Sequence, residues 1–143
     1  FGQVSRMDTL QALILKHRLG RLSSVIETRR RHAVMYQNVL NREHVFWVGE
    51  TNEIFHSYHT FVVQVSERDG LRLHLQDMGI GTAIHYPVPI HLQKAAGNLG
   101  YNLGDLPVAE KQAGRILSLP INQFLGESDI LRVAELINEF VIS

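Results

Sequence analysis

His59-Thr60-Phe61-Val62-Val63-Gln64-Val65 decides how this chain folds. Phe61, Val63 and Val65 alternate with Thr60, Val62 and Gln64, the period of a strand buried mainly on one face. Ser66-Glu67-Arg68-Asp69 follows at once and opens a helical pattern carrying Leu71, Leu75 and Met78, with Gly79 as its stop. Residues 80–86 then predict a return to strand. Upstream, Asp8 is placed to cap a helix with Leu10, Leu13 and Ile14 on one stripe, ending near Gly20. A second helix carries Leu22, Val25, Ile26, Ala33, Tyr36 and Leu40 at helical spacing. Its run Arg29-Arg30-Arg31-His32 reads as a solvated face, with Glu27 spaced to pair with Arg30 or Arg31. Between residues 44 and 60 periodicity is lost, and Val45-Phe46-Trp47-Val48 reads as a short apolar strand or loop.

Downstream, Pro107 suits the first turn of a helix over residues 108–115, and Ile116-Leu117-Ser118-Leu119-Pro120 reads as a short buried strand. Ile130, Val133, Ala134, Ile137 and Val141 then share one face of a closing helix, with Ser128 and Asp129 at its start. The order predicts an α/β (α+β) domain, one small sheet layered with helices and no internal repeat.

Composition narrows the function classes. The chain has 143 residues, 45% hydrophobic and 20% charged, enough for one core. Fourteen basic residues balance fourteen acidic ones. That neutrality argues against a general nucleic-acid or anionic-membrane partner, whose affinity comes from excess Lys and Arg. No cysteine is present, which removes disulfides and thiolate metal sites and agrees with a cytoplasmic location. No run of about 18 apolar residues is available to span a bilayer. Phe1-Gly2-Gln3-Val4-Ser5 lacks the layout of a secretion signal, and the chain reads as beginning inside something longer.

His85-Tyr86-Pro87-Val88-Pro89-Ile90-His91-Leu92-Gln93 concentrates the chemistry. Two prolines remove two backbone donors and fix two φ angles, so the segment must leave any sheet as a rigid loop. One reading makes it the wall of a ligand site, holding imidazole and phenol groups in place. The other, simpler on spacing alone, has His85 and Tyr86 finishing a buried strand and His91 beginning a helix. The spacing of His85 and His91 matches no particular metal geometry. The glycine- and asparagine-rich stretch over residues 97–105 reads as a surface loop, because the lysine-bearing pattern of a phosphate cradle is absent.

Taken in order, Gly2 with Ser5-Arg6-Met7-Asp8, the Arg29-Arg30-Arg31 helix, Gly79-Ile80-Gly81-Thr82 leading into the proline loop, Leu106-Pro107-Val108-Ala109-Glu110, and Ile116-Leu117-Ser118-Leu119-Pro120 resemble the DegT/StrS family of sugar-nucleotide aminotransferases. The resemblance spans essentially the whole chain and matches the C-terminal part of such enzymes: residues 1–20 as the end of the large domain and interdomain helix, residues 21–143 as the small domain. It implies a pyridoxal-phosphate enzyme of the aspartate-aminotransferase fold, a homodimer moving an amino group from glutamate to a keto group on a nucleotide-linked deoxyhexose.

The same resemblance assigns expected roles. The lysine that bonds the cofactor is expected upstream of Phe1; Lys16, Lys94 and Lys111, the three lysines present, do not match its position. The chain alone is then expected to be inert. The segment matching residues 2–6 approaches the cofactor phosphate of the neighbouring subunit. Val4 stands where the family commonly has asparagine and cannot donate that hydrogen bond, which leaves Ser5 and Arg6 as cofactor-binding candidates. For Arg6, an ion pair with Asp8 is the competing role. His85, Tyr86 and His91 become candidates for contact with the sugar nucleotide, whereas His56 and His59 read as structural. Three alternatives remain open: a sugar dehydratase of the same superfamily, a non-catalytic regulatory member, and a nucleic-acid binder built on the basic helix, which the neutral charge disfavours.

Overall fold

A computed structural model describes residues 6–51 and 53–142. Helices α1 (Thr9–Leu19) and α2 (Leu22–Val39) lead to strand β1 (Phe61–Gln64), helix α3 (Arg68–Asp77), helix α4 (Pro107–Ala113), strand β2 (Ile116–Leu119) and helix α5 (Glu127–Ile142). Two short 3-10 turns, Ile90–Leu92 and Lys94–Ala96, sit between α3 and α4.

β1 and β2 pair antiparallel, with Phe61 opposite Leu119, Val62 opposite Ser118, Val63 opposite Leu117 and Gln64 opposite Ile116. Because side chains alternate across the pleat, Phe61, Val63, Leu117 and Leu119 share the face turned to the core. Each fully buried Leu or Val there contributes about 1.5–3 kcal/mol. α5 packs against α2 and α3, and its Ile130, Val133, Ala134 and Ile137 are buried as the periodicity predicts. Tyr36 of α2 stacks on Phe61 at 5.1 Å between ring centroids and donates its hydroxyl to the Pro120 carbonyl at 2.8 Å. Asn138 ties α5 to the end of α2. Its Oδ1 accepts from the Asn41 amide and its Nδ2 donates to the Val39 carbonyl, both at 2.8 Å.

Two single-residue bridges widen the sheet, Phe46 to Gln64 beyond β1 and Ala83 to Ser118 beyond β2. The return strand predicted over residues 80–86 is therefore reduced to one residue. Extending the ladder would pair Gly81 with Pro120, which has no amide hydrogen to give, and His85 with Ile116, whereas the His85 ring bonds Ser118 instead. The apolar run over residues 45–48 is likewise reduced to the Phe46 bridge.

Other expectations are corrected. Asp8 occupies the position before α1 in extended backbone but makes no capping hydrogen bond, and Met78 is exposed rather than on the buried stripe of α3. None of the α1 residues is buried, so its Leu10, Leu13 and Ile14 stripe lies open. The basic run on α2 is not uniformly solvated: His32 is buried, and burial together with Arg31 lowers its pKa. Arg30 pairs with Glu50 and Arg31 with Glu127, not with Glu27.

α3 stops where Gly79 takes φ +79°, letting the Gly79 amide donate to the Gln76 carbonyl at 2.9 Å and the Ile80 amide to the Leu75 carbonyl at 2.8 Å. Nothing lies within 4 Å of the position a Cβ would take there. Gly79→Ala should therefore destabilise through backbone strain alone, by about 1–2 kcal/mol. Urea unfolding with an unchanged m-value is the check; a neutral result would show that the left-handed conformation costs nothing at this turn.

Candidate functional site

The bridge at Ala83 sets the chain beside β2 at the edge of the sheet, next to Ser118, which alternates with the core-facing Leu117 and Leu119. Ala83 and Ser118 exchange both backbone hydrogen bonds, at 3.2 and 2.8 Å. Two residues on, His85 lies diagonally across from Ser118, and its Nδ1 is 2.8 Å from the Ser118 hydroxyl. With Nδ1 engaged, Nε2 is the ring nitrogen without a partner among the described residues. An open cavity of about 290 Å³ lies alongside, lined by His85, Thr82, Ser118, Asn122, Arg29 and His59 among others.

Tyr86 takes φ +63° and is 80% exposed. A bulky side chain in the left-handed region is strained, and such strain gathers at sites where a side chain must be aimed. Pro87 and Pro89 stiffen the chain that follows, and Gln93 Nε2 donates to the Val88 carbonyl at 3.2 Å, closing the loop on itself.

His91 turns the other way. It lies in the turn Ile90–Leu92 with its side chain 5% exposed, its Nε2 3.0 Å from Glu110 Oε1 and its ring edge-on to Tyr101 at 6.2 Å. Glu110 also accepts from the Gly104 amide at 2.9 and 3.0 Å and from the Leu106 amide at 3.3 Å. One carboxylate thus holds the proline loop and the glycine-rich loop together. The His91 hydrogen bond, followed by those from Gly104 and Leu106, keeps Glu110 below the usual carboxylate range.

The structure therefore brings His85 and Tyr86 to one place, with ring centroids 6.5 Å apart, and sends His91 to another. Arg6 is exposed ahead of α1 and makes no ion pair with Asp8 among the described residues; Ser5, the other cofactor candidate, lies outside them. His59 stands beside Arg29, and His56 accepts from the Tyr58 amide at 2.8 Å through its Nδ1. No group of three or more potential metal-ligating side chains occurs among the described residues. Sequence reasoning did not assign Ser118 or Glu110. The one signal for Ser118 was a hydroxyl interrupting the apolar run Ile116-Leu117-Ser118-Leu119.

A profile described as the DegT/DnrJ/EryC1/StrS aminotransferase family matches residues 1–138. The chain belongs to this family. A "pleiotropic regulatory protein" of Geobacillus stearothermophilus is 38% identical over 97% of this chain and 38% of its own length. The dTDP-3-amino-3,6-dideoxy-alpha-D-galactopyranose transaminase of Aneurinibacillus thermoaerophilus is 33% identical over 97% of this chain and again 38% of its own. Among solved structures, S. venezuelae DesV in complex with a ketimine intermediate superposes with a TM-score of 0.93 and 36% identity, covering 99% of this chain and 38% of DesV. The chain spans well under half the length of these DegT-family relatives. Among the described residues, no helix is long and apolar enough to cross a membrane.

Because folding favours the charged form of Glu110, its contribution to stability is complete above the ordinary glutamate range and is lost as pH falls through its lower folded value. The protection factors for amide hydrogen exchange at Gly104 and Leu106, measured against the intrinsic rate at each pH, should fall on acidification in the native protein. In Glu110→Gln, exchange should be fast at neutral pH and lose its acid-dependent step; unchanged protection in that variant would remove Glu110 as the joint between the loops.

Proposed function

We propose that this chain is the C-terminal part of a longer aminotransferase that moves an amino group from glutamate to a keto group of a nucleotide-linked deoxyhexose. Residues 1–20 are the end of the large domain with the interdomain helix and residues 21–143 the small domain, a division supported by α1, which buries none of its side chains here. The parent is a cytoplasmic homodimer.

The observation that carries the site assignment is Tyr86, strained at φ +63° yet 80% exposed beside a His85 oriented by Ser118. Strain in a solvent-facing aromatic serves no packing purpose within the chain. His85 and Tyr86 touch the sugar nucleotide, donating to and accepting from hydroxyl or phosphate oxygens. His91 belongs to the same loop and acts through it, since its contact with Glu110 fixes the stem from which Tyr86 is presented.

The described residues do not form a cradle for pyridoxal phosphate. None of Lys16, Lys94 and Lys111 lines the cavity beside His85. When bound in the parent, that group supplies the electron sink needed at the reacting carbon. Ser5 and Arg6 contact its phosphate in the neighbouring subunit. The relative named as a regulatory protein supports a second reading, a parent that keeps the fold without turnover.

Titration with pyridoxal phosphate separates these readings. The full-length parent should develop visible absorbance that glutamate bleaches, and this chain alone should stay colourless. In stopped-flow assays of the parent, Tyr86→Ala should weaken the keto-sugar half-reaction roughly 10-fold or more while the glutamate half-reaction changes less. A colourless parent would remove the aminotransferase reading, and equal loss in both half-reactions would remove the substrate role of Tyr86.

A further inference from the structure

Three successive arginines on α2 meet three different fates. Arg30 forms a bidentate pair with Glu50 at 2.7 and 2.9 Å, and Arg31 reaches Glu127 at 3.8 Å. Arg29 makes no ion pair among the described residues. Its Nε is shielded from solvent with no hydrogen-bond partner, and its Nη1 reaches only the Nδ1 of His59, at 3.5 Å. Taking part of a guanidinium out of water without a partner is unfavourable, and nothing in the described chain offsets it.

Its position suggests what does. Arg29 and His59 line the cavity beside His85 and also a neighbouring one of about 770 Å³ at the corner between α1 and α2. Lys16, Arg18 and Arg21 add to the second cavity, and no aspartate or glutamate lines either. In a chain of zero formal net charge, this is a local strip of unneutralised cations.

We propose that Arg29 is an oxyanion receptor of the substrate site, its guanidinium set by His59 and presented at the rim of the cavity that His85 walls. A planar fork of donors suits carboxylate or phosphate oxygens taken in pairs, and a desolvated rim strengthens the attraction. The proposal rests on the aminotransferase reading for its two sources of anion: the carboxylate of the amino donor and the diphosphate of the nucleotide sugar.

The test uses the full-length parent, with glutarate as the dicarboxylate probe and dTDP as the diphosphate probe in calorimetric titrations. Arg29→Gln should weaken one or both roughly 10- to 100-fold, and Arg29→Lys should restore part of the loss. The melting temperature should stay within about 4 °C of the parent's, the shift expected of a minor stability change. The probe that loses affinity identifies the source. Unchanged affinity for both probes overturns the proposal, as does a loss accompanied by a larger fall in melting temperature, which would make Arg29 a structural residue paired elsewhere in the parent. Either result with cofactor absorbance intact leaves the proposed function standing. A parent that binds neither probe nor the cofactor removes both.

Discussion

Ser118 and Ala83 exchange both of their backbone hydrogen bonds, and the ligand-facing surface depends on that pair. β2 gives the amides and carbonyls of Leu117 and Leu119 to β1, which leaves those of Ser118 for the opposite side. Pro120 prevents a second pair from forming there. The incoming chain is thus pinned at a single residue and then released. Had Pro120 carried an amide hydrogen, Gly81 could have paired with it ahead of Ala83; beyond Ala83 the bond from the His85 ring to Ser118 stands in place of a His85–Ile116 pair, and Tyr86 is left in solvent.

What was legible in the sequence follows from the range of the forces involved. The alternation of Phe61, Val63 and Val65 and the helical period of Ile130, Val133, Ala134 and Ile137 are local patterns, and both strand and helix form where the patterns lie. The return strand failed because its pairing depends on a partner 35 positions away, whose proline punctuates the ladder from the far side. The same holds for the site. His85 and Tyr86 were visible as a rigid, histidine-bearing loop, but the hydroxyl that orients His85 lies 33 residues downstream and the carboxylate that holds His91 lies 19 downstream. No spacing rule links such pairs before the fold is known.

The basic run on α2 shows how a compositional reading divides when the helix is packed. At about 100° per residue, four consecutive residues fan out around most of the helix, so they cannot share an environment. Arg30 clamps the 50–56 segment by meeting Glu50 and the His56 carbonyl, the latter at 2.8 Å, while His32 is carried into the interior. Arg31 remains on the surface and Arg29 faces the sheet's outer rim. A single charge block in the sequence becomes four different physical situations.

Glu110 shows a consequence for how such a domain can change over generations. One carboxylate accepts from His91 on the proline loop and from Gly104 and Leu106 on the glycine-rich loop. The hydrogen bonds of this joint come from backbone amides of the second loop, and Tyr101, whose ring meets His91 edge-on, is the side chain there that adds to it. Insertions between Gly104 and Glu110 would pull the carboxylate from its amides and loosen His91 at the same moment. The stem must therefore be altered at both ends together or left alone.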